Sequence, residues 1–228
     1  MSTTSASTVL APEVRPPVDA ELAVAREDLC RFLSACYYEP EAAFAEERLF
    51  DSMLAAAERI GPELAGQARR LGQAFATEGP DALLVDYTRL FLGPVQALAR
   101  PYSSVWLTGE VELMQDTTMA LLKMYEQAGF GIDDDFQELP DHVAVELEFL
   151  YLLIHQENQA QREGDAEALQ TVQVLRSAFL AGHLGRWLGP FILAVHNGAQ
   201  SDFYRELAEF TEHFVRLEGQ RGMPAAVH

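Results

Sequence analysis

The chain has 228 residues, 49% of them hydrophobic, which is enough to bury one large globular core. Thirty-five acidic residues against sixteen basic ones give a net charge of −19. A field of that sign repels phosphate backbones and anionic membranes, so it argues against nucleic-acid binding and favours cationic partners such as arginine-bearing peptides.

Residues 1–19 are rich in Ser, Thr and Pro, lack apolar periodicity and carry Pro12, Pro16 and Pro17. They are expected to form a disordered tail, and without a basic segment followed by an apolar one they do not read as an export signal. Asp19 is placed to cap the first helix. From there the helical period is nearly continuous: Leu22, Leu29, Phe32, Leu33 and Cys36 share one stripe, and Leu49, Met53, Leu54 and Ala57 another. Cys30 and Cys36 lie in what reads as one helix, roughly 9 Å apart along its axis, so they are expected to be buried thiols rather than a disulfide, as suits a reducing cytosol.

Pro40, Gly61-Pro62, Gly79-Pro80, Gly93-Pro94, Arg100-Pro101, the stretch 129–135, Gly164 and Gly198 punctuate the chain. Strand patterns are missing, and the intervals predict an all-α fold, a single domain of roughly nine helices. Its expected parts are an N-terminal block 20–128, a hinge loop 129–140 and a C-terminal block 141–218. No apolar run reaches the roughly 18 residues of a membrane span, the longest being 149–154, so stable membrane insertion is not expected.

Four stretches carry candidate chemistry. Tyr87, Leu90 and Phe91 share one face of a helix that Gly93-Pro94 ends. In Arg100-Pro101-Tyr102-Ser103-Ser104-Val105-Trp106-Leu107 a proline and two large aromatics meet at a helix entry, with Ser103 or Ser104 placed to cap a helix running through Glu110, Leu113 and Leu121. The loop 129–140 ends in a helix start, with Pro140 in the first turn and Asp141 near its positive end. The helix after it has Val143, Leu147, Leu150, Tyr151 and Ile154 as a packing stripe. Between Lys123 and Arg162 there is no Lys or Arg but there are Glu126, Asp133, Asp134, Asp135, Glu138, Asp141, Glu146, Glu148 and Glu157, which read as a concentrated negative patch. An aromatic wall beside such a patch suits a peptide with both arginine and apolar side chains.

Catalytic spacings are scarce: HExxH, P-loop, GxGxxG, GxSxG and Glu-x-x-His patterns are all missing. His142 and Glu146, four apart, could form a metal site with Glu138 or Asp141, which is the enzyme alternative; His142 as a hydrogen-bonded residue at a helix start is the simpler reading. His183 and His196 read as packing or surface residues.

In this order the stretches resemble the TorD/DmsD family of cytoplasmic redox-enzyme maturation chaperones. Tyr87-Thr88-Arg89-Leu90-Phe91 is similar to the family's aromatic-x-x-Leu-Phe motif, and Pro101-Tyr102-Ser103-Ser104-Val105-Trp106-Leu107 to its Pro-aromatic segment. Glu138-Leu139-Pro140-Asp141-His142 is similar to its Glu-x-x-Asp-His hinge motif, followed by Glu146-Leu147-Glu148-Phe149. His183, Leu184, Trp187, Pro190 and Phe191 resemble its C-terminal helix start. The resemblance runs from about Asp19 to about Leu217.

It implies an all-helical, non-enzymatic chaperone without a cofactor of its own. Such a protein binds the twin-arginine signal peptide, and often the body, of a molybdenum-cofactor oxidoreductase until cofactor insertion is complete, then releases the precursor to the twin-arginine translocase. Asp141 would pair with an arginine and His142 would position its loop. Tyr87, Leu90, Phe91, Pro101, Tyr102 and Trp106 would line the apolar part. Charge alone adds Glu138 and 133–135 as steering groups. A leaderless assembly factor of a nitrate-reductase-type subunit is the related alternative, and both monomers and domain-swapped dimers occur in the family.

Overall fold

In the computed structural model, which describes residues 18–93, 97–108, 116–131 and 138–221, the first apolar stripe becomes α1 (Val18–Ala35). Its Ala25, Leu29 and Leu33, four apart, are all buried. The helix begins one residue before the expected cap Asp19, and Cys36 lies just past its end. Both cysteines are buried and free, with Cys30 Sγ 3.1 Å from the Leu147 carbonyl. The rest of the expected tail, and residues 222–228, are outside the described residues.

The chain continues through α2 (Ala43–Glu46), α3 (Leu49–Ile60) and α4 (Pro62–Tyr87). Pro62 starts α4 where no amide partner is needed, and Gly79, at φ 75°, breaks the helical path before Pro80. The expected interruption is therefore a kink inside α4. A π-helical turn (Thr88–Leu92) follows directly and Gly93, at φ 58°, ends it; Pro94 lies outside the described residues.

Next come α5 (Ser103–Thr108), α6 (Asp116–Ala128), α7 (Val143–Glu163) and α8 (Ala166–Phe179). Residues 109–115, including Glu110 and Leu113, and 132–137, including Asp133, Asp134 and Asp135, are outside the described residues. A second π-helical turn (Leu180–Leu184) joins α8 to α9 (Gly185–Gly198) without a break, and α10 (Asp202–Gln220) closes the chain. Counting unbroken runs, the described residues form nine helices and no strand, the all-α architecture that the punctuation predicts.

α1 lies along α7 and α3, α10 lies in the angle of α4 and α9, and α8 backs α7. One cluster of buried side chains runs from Ala25 to Val215. The run Ala166–Gly198 is long and apolar enough to cross a membrane by length and composition, which the sequence reading missed. Half of its most apolar window is buried, with Phe179, Trp187 and Phe191 inside, the pattern of a core helix.

Folding draws part of the negative patch read between Lys123 and Arg162 into the core. Glu157 turns inward and, with Glu218, meets Arg26 and Arg176 in a buried network spanning α1, α7, α8 and α10. Arg26 Nε and one terminal nitrogen grip Glu218 at 2.9 and 2.7 Å, and Arg176 Nε lies 3.0 Å from Glu157. The buried part of the knot sets two guanidinium groups against two carboxylates, the balance under which charges tolerate burial, and Arg221 at its rim lies 3.3 Å from Glu218 as a third guanidinium.

Candidate functional site

The site is assembled where the segment before α5 meets the segment before α7. Tyr102 and His142 form an isolated antiparallel bridge; Val143 N donates to the Pro101 carbonyl at 2.7 Å and Ser103 N to the Asp141 carbonyl at 2.9 Å. Tyr125 Oη ties the Pro140 carbonyl at 2.8 Å. Helix α7 begins at Val143, not at Pro140 as read from the sequence, because His142 is the cap: its backbone is extended and its Nδ1 accepts from Ala144 N at 3.2 Å. Burial lowers the His142 pKa from its ordinary value to about 4, so the ring is neutral at neutral pH.

Asp141 is fully enclosed. Its Oδ2 accepts from Ser104 N in the first turn of α5 at 3.2 Å, and its Oδ1 has no hydrogen-bond partner. The carboxylate thus anchors α5 from outside, the part assigned in the sequence to Ser103 or Ser104. It has no surface for an incoming guanidinium in this conformation.

Around His142 stand two tyrosines, each facing a carboxylate. Tyr102 meets the imidazole edge-on at 5.3 Å, and its hydroxyl lies 3.5 Å from Glu138 Oε2. Tyr38 stacks on the same imidazole at 5.9 Å and 14°, and its hydroxyl donates to Glu148 Oε1 at 3.0 Å. Ser34 Oγ, which donates to the Ala144 carbonyl at 2.9 Å, is also 3.3 Å from that oxygen. Tyr38, Tyr102, Glu138 and Glu148 are all half-buried. Burial raises the Glu138 carboxyl; burial and the Glu138 charge push Tyr102 up to about 12, and Tyr38 and Tyr87 are raised by burial and neighbouring carboxylates as well.

The remaining sequence-predicted residues sort into wall and support. Trp106 is half-buried, its Nε1 donating to the Arg100 carbonyl at 2.8 Å and its ring edge-on to Phe191 at 6.3 Å. Pro101 is buried in the strap. Tyr87 is 5% exposed and packs edge-on against Phe91 at 5.2 Å. Leu90 and Phe91 are core: Phe91 sits among Tyr37, Phe191 and Tyr204. They hold the wall from behind.

Beneath the strap, fully buried Glu146 takes His183 Nε2 at 2.9 Å and Trp187 Nε1 at 3.0 Å, with Ser103 Oγ 3.2 Å from the same His183 nitrogen. Glu146 therefore faces away from His142, and His183, read as a packing or surface residue, is part of an enclosed polar network. Among the described residues no three His, Cys, Asp or Glu side chains are placed to hold a metal. The sequence reading missed Tyr38, Ser34 and the role of Glu148. The signal available was Tyr37-Tyr38-Glu39-Pro40 just past a helix end, but nothing local links it to a carboxylate 110 residues away.

Residues 57–193 match the family model described as nitrate reductase delta subunit. The chain is 28% identical over 183 residues to the chaperone protein TorD of Shewanella loihica, covering 76% of this chain and 78% of the relative. It is 28% identical over 154 residues to the Tat proofreading chaperone DmsD of Salmonella typhimurium, 67% of this chain and 69% of that one. Over 72 residues it is 43% identical to a chlorate reductase assembly chaperone protein of Ideonella dechloratans, 31% of this chain and 36% of that one.

Proposed function

The chain belongs to the nitrate reductase delta subunit family, among the TorD/DmsD chaperones, and from that premise we propose that it is a cytoplasmic, non-enzymatic chaperone for a molybdenum-cofactor oxidoreductase. It binds the precursor's twin-arginine signal peptide, and its body, until cofactor insertion is complete, and then yields it to the twin-arginine translocase. The name of the Salmonella relative, a Tat proofreading chaperone, supports the leader as ligand.

The observation that carries the reading is the half-buried Glu138 carboxylate, in no ion pair among the described residues, beside the tyrosine and tryptophan wall. A guanidinium group pairs with the carboxylate and stacks on the rings, while the apolar stretch of a leader lies along Tyr87, Pro101, Tyr102 and Trp106. Leu90 and Phe91 keep that wall rigid. Asp141 and His142 hold the strap; Asp141 reaches a guanidinium only if the strap opens. Long-range attraction from the net charge of −19 raises the encounter rate and the apolar wall slows release.

Titration with a synthetic twin-arginine leader, followed by heat or by Trp106 fluorescence, tests the reading. Tighter binding of the arginine form than of a lysine form, weakened by salt and by Glu138→Gln, is the expected result. No binding by several leaders at high micromolar concentration overturns it. The match to the nitrate reductase delta subunit family favours one second reading, a leaderless assembly factor of a nitrate-reductase-type subunit, which requires client binding that survives deletion of any leader.

A further inference from the structure

We propose that Glu148, oriented by Tyr38, is a second guanidinium seat, so that the site holds two acceptors, Glu138 and Glu148, each at the hydroxyl of a tyrosine that contacts the His142 ring. The inference rests on the leader-binding reading and goes past it by assigning the second arginine.

The arrangement around His142 is doubled. Tyr102 stands edge-on to the ring with Glu138 at its hydroxyl, and Tyr38 is stacked on the ring with Glu148 at its hydroxyl. Each unit offers a carboxylate and a ring, the pair of surfaces that a guanidinium uses in plane and face. The imidazole between them is neutral, so it places no positive charge against an arriving cation.

Charge pairing elsewhere in the molecule marks these two carboxylates out. The buried acids Asp86, Glu146, Glu157 and Glu218 each have an Arg or His partner. Glu138 and Glu148, half-buried beside aromatic rings, are in no ion pair among the described residues. The enclosed Asp141 carboxylate lies behind the same rings, close enough to raise the Tyr102 hydroxyl, and its Oδ1 accepts no hydrogen bond. Three carboxylates around one ring stack without a cation form a site whose counter-charge is brought by the ligand. Tyr38 donates to Glu148 Oε1, which fixes the carboxylate's orientation before binding, and Ser34 Oγ lies 3.3 Å from the same oxygen.

The test uses the whole chain and three leaders carrying Arg-Arg, Lys-Arg or Arg-Lys, titrated into the wild type, Glu148→Gln, Glu138→Gln and Tyr38→Phe, with circular dichroism and melting to confirm folding. Glu148→Gln is expected to weaken Arg-Arg binding about tenfold, the worth of one charge-assisted hydrogen bond, and to abolish discrimination at one arginine position only. Glu138→Gln should abolish it at the other. Tyr38→Phe, which removes one hydroxyl, should cost about threefold in Arg-Arg affinity at the position that Glu148 reads. Wild-type binding that discriminates at both positions while Glu148→Gln and Tyr38→Phe leave that pattern unchanged overturns the second seat alone. Failure of the wild type to bind any leader overturns the proposed function and the seat with it.

Discussion

Two clusters of charge sit about one helix, α7, and they are built on opposite terms. At its C-terminal half Glu157 joins Arg26, Arg176 and Glu218 in a knot where every charge is matched and nearly nothing is exposed. At its N-terminal end Glu138 and Glu148 lie half-open beside tyrosines, with no cation paired to them among the described residues. The first arrangement fastens α1, α7, α8 and α10 together; the second leaves electrostatic energy available to a ligand. Enclosure combined with neutrality marks structure, and partial enclosure combined with imbalance marks binding.

The sharpest way to break this contrast is to unbalance the knot. Arg176→Leu leaves buried Glu157 with Arg26 alone, at 3.4 Å, while Glu218 keeps Arg26 and Arg221, and should cost about 3–5 kcal/mol in a denaturant titration, with leader affinity of the folded fraction unchanged. A comparable loss of leader affinity would show that the two clusters are not separate.

Acid provides the next largest effect. His142 is held neutral with its pKa near 4, so as pH falls below about 6.5 the unfolded chain takes up a proton there that the folded chain refuses. Stability is lost between about pH 6.5 and 4, by on the order of 3 kcal/mol at most. Unfolding measured across that window in the wild type and in His142→Asn, which keeps a capping acceptor, should show the slope flattened in the variant.

Asp141 separates support from contact. Asp141→Ala removes the acceptor of Ser104 N and should cost about 1–2 kcal/mol in melting experiments, whereas Asp141→Asn retains an acceptor and should melt close to the wild type. Leader affinity lost in the Asn variant at unchanged stability would move Asp141 from holding the strap to touching arginine. Smallest of all, Cys30→Ala should destabilise by roughly 1 kcal/mol. Both thiols should react with a thiol reagent only on unfolding, since burial pushes each of them up.

The helices were legible because one-face burial leaves a period: Ala25, Leu29 and Leu33 announce α1 and Val143, Leu147, Leu150 and Ile154 announce α7. Gly61-Pro62 and Gly79-Pro80 were read correctly as interruptions, although the second bends a helix instead of ending it. Charge was misread because sequence proximity was taken for surface proximity. Glu146 and Glu157 point inward to His183, Arg26 and Arg176, partners up to 131 residues away that no local rule supplies. For the same reason the strap pairing of Tyr102 with His142 was invisible, while the residue types at both its ends were not.

The π-helical turn Leu180–Leu184 inserts its wider loop into an otherwise unbroken 33-residue rod and so acts as a phase shifter. A side chain at Gly185 would meet the Leu180 carbonyl oxygen at 2.5 Å, so only glycine lets the wide turn close. Winding the same five residues as ordinary α-helix, with none removed, would rotate everything after them by roughly 90°. Trp187 would swing off Glu146 and Phe191 off Trp106, and the wall would lose its footing without a single wall residue having been altered. The winding of this rod is thus as much a part of the site as any ring that lines it.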